Sequence, residues 1–176
     1  MLLTATLSLL LMQQAPAENV DWDAEFGVEE VERDPATGET PVEPYEQNNE
    51  NAGAKPFTGD DMAETFGGRD GIRQIAERFV EINFADPRIQ GIFAGHDEVR
   101  LRRTIFEQFC YILNAGCDYT GRDMKSSHEG LGSRKADLNA IVENLQQAMQ
   151  EQDVPFAAQN RFLSKLAPMS RDVINR

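Results

Sequence analysis

From residue 61 to the C-terminus apolar residues recur three and four apart, and that period leaves a helical bundle as the architecture. Residues 60–66 read as a short first helix, ended by Gly67-Gly68. A longer helix over 70–84 carries Ile72, Ile75, Ala76, Phe79, Val80 and Ile82 on a broad apolar face. Asp86-Pro87 stops it, because proline lacks a backbone N–H and restricts the residue before it. Ile89, Ile92 and Phe93 form a short turn closed by Gly95. Leu101, Ile105, Phe109 and Ile112 then mark a helix over 97–113. A loop over 114–122 leads to one helical turn, 125–129, closed by Gly130 and Gly132. Leu138, Ile141, Val142, Leu145, Ala148 and Met149 make the cleanest stripe, over 136–150. Pro155 opens the last helix, in which Phe162, Leu163, Leu166, Met169 and Val173 face inward and Pro168 is expected to introduce a kink. Strand alternation is almost absent. The reading is an all-α domain over 61–176 without repeats.

Charge separates this domain from what precedes it. The formal net charge is -13, yet residues 18–60 hold 13 acidic and 2 basic side chains, whereas 61–176 hold 17 and 15. The acidity belongs to an N-terminal arm, and no clustered basic face of the kind nucleic acid needs is present. The arm is rich in Glu, Asp, Asn, Pro and Gly, so it reads as a disordered acidic linker over 18–60, dispensable to about Lys55. It carries the chain's one tryptophan, Trp22, around which a short amphipathic helix could form.

Residues 1–17 resemble a secretory signal peptide. An apolar run over 7–12 precedes Ala15-Pro16-Ala17, an A-x-A cleavage pattern that would leave Glu18 first, although no Lys or Arg precedes the run. The run is too short for the roughly 20 residues that span a bilayer, so no stable membrane insertion is expected. Export, to the periplasm of a bacterium, is the expectation, with the cytoplasm as the alternative if the segment is not a signal. An exported chain could pair Cys110 with Cys117; the alternative is two free thiols. No C-x-x-C-H occurs, which excludes covalent c-type haem attachment through cysteine. With only His96 and His128, a multi-histidine metal site is excluded.

Three blocks carry a resemblance. Gly67-Gly68 ends the first helix; Tyr119-Thr120-Gly121-Arg122-Asp123-Met124 reads Y-T-G-x-x-M; His128-Glu129-Gly130-Leu131-Gly132 reads H-x-G-x-G. In this order and at this spacing they resemble the group I truncated haemoglobins, over roughly 61–176. The resemblance implies a truncated two-over-two globin fold, here with a disordered acidic N-terminal arm. It also implies a haem b cofactor (iron protoporphyrin IX), His128 as its iron ligand, and a diatomic gas at the iron. Residues alone would leave a lone histidine as a surface or core group more often than a ligand. A backbone carbonyl near 125–127 is the expected partner of the second ring nitrogen.

The resemblance also assigns the cofactor pocket, residue by residue. Phe79 matches the phenylalanine of the second helix, expected in the pocket, and Phe93 the phenylalanine that packs on haem at the corner after it. Where the family usually has a tyrosine after the first of these, this chain has Val80. Leu101, Thr104 and Ile105 occupy the positions where glutamine or histidine often stands, leaving Thr104 as the one candidate donor. Ile141 is expected to contact the cofactor, and Tyr119 is expected at the haem edge. Arg102, Arg103 and Lys125 are expected at the propionates, with solvated charges as the competing reading. His96, in a corner beside Gly95 and Asp97, is read as surface, with haem contact as the second reading.

Three classes of function follow from these residues. The leading one is a haem protein that binds dioxygen, nitric oxide or carbon monoxide as carrier, scavenger or sensor. The second is a haem-dependent nitric oxide dioxygenase or peroxidase-like enzyme, weakened by the missing tyrosine and dependent on an external electron donor. The third is a haem-free helical interaction module, weakened by the intact histidine motif.

Overall fold

The structure is a computed structural model that describes residues 32–174 and 176. The signal-like segment 1–17, its expected cleavage site and Trp22 lie outside the described residues. Among the described residues there are helices and no strands. A 3-10 turn, Asn49–Ala52, comes first, followed by α1 (Asp61–Thr65), α2 (Gly68–Ala85), α3 (Gln90–Phe93) and α4 (Glu98–Ile112). Then come α5 (Met124–His128), α6 (Lys135–Glu151), α7 (Phe156–Leu166), a second 3-10 turn (Ala167–Met169) and α8 (Ser170–Val173). The bend expected at Pro168 is a complete break, with the 3-10 turn separating α7 from α8.

The long helices form two pairs, α2 with α4 and α6 with α7, and α2 joins the pairs by packing on α6. This is the two-over-two arrangement. The stripes predicted from periodicity meet in one core. Phe162 stands edge-on to Phe66 (ring centroids 5.4 Å apart) and to Phe109 (5.1 Å), and Phe79 lies 5.8 Å from Phe109. At the end of α2 a buried amide network ties the pairs together. Asn144 Nδ2 donates to Asn83 Oδ1 at 2.8 Å and to Asp86 Oδ2 at 3.1 Å.

Local signals explain the short elements. Asp97 caps α4 by accepting from the Val99 N–H at 3.1 Å. Asp123 caps α5 by accepting from the Ser126 N–H at 3.0 Å and its hydroxyl at 2.7 Å. A disulfide joins Cys110, in the last turn of α4, to Cys117 in the following loop, with Cα atoms 5.6 Å apart.

Residues 32–60 depart from the spacer expected there. They lie along α4 and the loop that follows it. Glu39 is buried and paired with Arg103 (3.1 Å) and Arg100 (3.3 Å). The Thr40 N–H donates to Asp97 at 2.6 Å, and the Phe57 N–H donates to the Ile112 carbonyl at 2.9 Å. Ala52 is fully buried. The physical reason is that the basic face of α4 supplies the partners this acidic stretch lacks within itself.

Candidate functional site

Alpha helix α5 is one turn long, and an isolated helix of that length has no stability of its own. Its cap and its packing therefore decide where His128 stands. His128 is half-buried at the end of that turn. Its Nδ1 lies 2.6 Å from the Met124 carbonyl, one helical turn back. A carbonyl can only accept, so this contact puts the ring proton on Nδ1 and the lone pair of the neutral imidazole on Nε2. The acceptor expected within 125–127 is therefore Met124, because i to i-4 is the reach of a helix. Beyond it Gly130 and Gly132 adopt φ of +78° and +65°, a left-handed backbone that turns the chain away from the ring.

The imidazole borders a cavity of about 740 Å³. Its walls are mostly apolar. Leu101, Thr104, Ile105 and Phe109 come from α4, Phe79 from α2, and Ile92 and Phe93 from α3. Leu138, Ile141 and Val142 of α6 close the opposite side, with Leu163 and Leu166 of α7 behind. Tyr119 joins them from the loop. Its hydroxyl donates to the Arg122 carbonyl at 3.0 Å, and burial pushes its pKa above the ordinary phenol value.

Of the residues singled out from the sequence, the structure brings together His128, Phe79, Phe93, Leu101, Thr104, Ile105, Tyr119 and Ile141. Val80 is not among the lining residues. It is 1% exposed and packs into the bundle, because neighbours on a helix point about 100° apart and Phe79 takes the cavity side. Nor do the three basic residues line it. Arg102 pairs with Glu98 one turn back at 2.5 Å and donates to the Glu77 carbonyl at 3.2 Å. Arg103 is held by Glu39, Glu107 and Thr120, and the carboxylates of Glu39 and Glu107 raise its pKa above the ordinary arginine value. Lys125 is exposed on α5. The arginines satisfy carboxylates of this chain, which their positive charge alone did not reveal.

The structure also places the two remaining polar candidates. The Thr104 hydroxyl donates within its own helix to the Arg100 carbonyl at 3.0 Å, so its proton is directed away from the cavity. His96 is exposed yet stands on the cavity rim. Sequence reasoning missed Gln108, which is buried and lines the cavity. Its place four residues after Thr104 and seven after Leu101 was the available signal. Its Nε2 donates to the Ala52 carbonyl at 2.9 Å and lies 3.3 Å from Met124 Sδ.

Comparisons with known proteins agree with this geometry. The chain is 26% identical over 110 residues to the group 1 truncated hemoglobin GlbN of Mycolicibacterium paratuberculosis, covering 62% of this chain and 81% of that protein. It is 24% identical to the corresponding protein of Nostoc commune, over 65% of this chain and 98% of the other. The crystal structure of truncated hemoglobin from Tetrahymena pyriformis in its Fe(III) form superposes with a TM-score of 0.62 at 22% identity, over 65% of this chain and 98% of that one. The Bacterial-like globin profile matches residues 61–175. The helix order, the cavity beside His128 and this match lead to one assignment: the chain belongs to the bacterial-like globin family, with the truncated two-over-two fold.

Proposed function

We propose that the protein holds haem b with His128 as its iron ligand and binds a diatomic gas (dioxygen, nitric oxide or carbon monoxide) in the space beneath α4. A globin family implies a haem-binding chain. The observation that carries the finer reading is the pairing of the His128 Nδ1 contact to Met124 with a largely apolar cavity of about 740 Å³. That volume lies within the range of about 300–1,000 Å³ that small-molecule and cofactor sites occupy. An apolar slot suits a flat macrocycle, and a neutral imidazole with its proton fixed on Nδ1 suits iron. Haem b is favoured over a cysteine-linked haem because Cys110 and Cys117 are paired with each other.

Haem, when bound, would supply an iron able to take up a diatomic gas. The chain's own residues do the rest. Met124 orients the His128 ring. Leu101, Ile105 and Phe79 exclude water from the gas side and offer no hydrogen-bond donor there. We also propose export, supported by the disulfide, since such bonds persist in oxidising compartments. His128→Ala tests the central assignment. Purified with haem supplied, the variant should lose the cofactor or keep it only loosely, read by the Soret band. A normal five-coordinate ferrous spectrum in that variant would falsify the assignment.

A further inference from the structure

We propose that residues 32–60 form a strap that ties together two walls of the cofactor cavity, and that Gln108 is the positioning residue through which it acts; this rests on the haem reading above. The family match begins at residue 61, so the strap lies outside the part shared with the family.

The strap is fastened to two elements that line the cavity, α4 and the loop that leads into α5. Its first part is fastened to the outer face of α4, through Thr40 to Asp97 and through Glu39 to Arg100 and Arg103. Its second part is fastened to the loop that leads into α5. Tyr45 donates to the Thr120 carbonyl at 2.9 Å, the Tyr119 N–H donates to Asn49 at 2.7 Å, and Asn51 donates to the Gly121 carbonyl at 3.2 Å. One continuous segment therefore fixes the spacing between the helix over the gas side and the turn that carries His128.

Gln108 brings the strap into the cavity itself. Its amide donates to the buried Ala52 carbonyl and touches Met124 Sδ, and the Met124 carbonyl holds His128. The links Ala52, Gln108, Met124 and His128 are each within contact distance of the next. The next strap residue, Gly53, has φ of +79°, and a Cβ there would lie 2.8 Å from Met169 Sδ and 3.0 Å from Met124 Cγ. A side chain at 53 would be strained at that φ and would crowd both methionines that seat the strap. A five-residue helix has no stability of its own and depends on its cap and its contacts, so loosening the strap removes one of the supports that hold α5 and with it the cofactor.

The test uses the full chain and measures haem transfer to an excess of an apo-globin acceptor. Gln108→Leu keeps the volume and removes the donor; Gly53→Ala lifts the strap. Each should speed haem loss roughly tenfold, the effect of about one net hydrogen bond. The double variant should be no faster than the faster single one, because both break the same seat. A purely structural defect at either site would multiply instead, to roughly a hundredfold. Multiplicative rates, or wild-type haem loss in Gln108→Leu, overturn the proposal while leaving the haem reading intact. If Gly53→Ala does not fold, Asn51→Ala takes its place in the cycle. If the wild-type chain takes up no haem, the functional reading fails and the strap is tested on the haem-free chain. Gln108→Leu should then speed amide hydrogen exchange over 122–128, and unchanged exchange overturns the strap.

Discussion

At the scale of the residue, the cavity contrasts a directed imidazole with an apolar opposite wall. Leu101 and Ile105 supply no donor, and Thr104 spends its proton on the Arg100 carbonyl. Charge that develops on a bound dioxygen would therefore find no donor among these three residues. A bond to a partly charged group contributes roughly 1.5–3 kcal/mol. Ile105→Gln, which places a donor on that wall, should slow dioxygen release by roughly ten- to a hundredfold. Carbon monoxide release should change little. Stopped-flow ligand displacement on both forms measures this. If the unaltered protein already releases dioxygen slowly, another donor reaches the gas. Which residues line this wall was legible in the 101–104–105 spacing. That Val80 would turn away from the cavity, and that the Thr104 hydroxyl would bond back to its own helix, was not. Rotation about a helix and the choice of a hydroxyl's acceptor depend on packing that a linear pattern does not encode.

At the scale of the element, the strap and the loop over 114–122 hold the site's walls. Asp97 anchors the strap while also capping α4. Burial pushes its carboxyl pKa up, but the Thr40 N–H, the Arg33 guanidinium and the Thr40 hydroxyl outweigh this and hold it at about 2, against an ordinary 3.8. A pKa lowered by folding gives stability that is present above the ordinary value and is lost as pH falls toward the lowered one. The strap should therefore loosen between about pH 4 and pH 2. Amide exchange at Thr40 should report that step. Asp97→Asn, which keeps a capping oxygen but no charge, should leave Thr40 poorly protected without the step. The Cys110–Cys117 bond closes a short loop, seven residues apart in sequence. Restricting such a loop in the unfolded chain contributes roughly 2–3 kcal/mol. Replacing both cysteines with alanine should lower the thermal midpoint accordingly, and a midpoint equal to that of the oxidised parent would show that the bond adds nothing.

At the scale of the whole molecule, the two helix pairs leave one imidazole behind the cavity and one at its rim. The ferrous, gas-free protein should be five-coordinate, with His128 as the iron's protein ligand, because Leu101 and Ile105 present nothing that can bind the other side. The absorption spectrum of the reduced form checks this. A low-spin six-coordinate spectrum that reverts in His96→Ala would mean that the rim histidine swings in. The sequence by itself determined the helical class, the order of the helices and the histidine motif, since periodicity, proline and glycine act over a few neighbouring residues. It also marked most of the apolar wall, because burial follows from the same period. Only the tertiary structure decided the fate of the charges and of the strap. Glu98 and Glu107 stand one helical turn from Arg102 and Arg103, a local spacing, but Arg103 looked available until Glu39 was found beside it, and residues 32–60 looked like spacer until α4 offered them partners. An ion pair or a buried carbonyl contact between residues 56 or 64 positions apart depends on where the chain returns in space, and no local pattern carries that information.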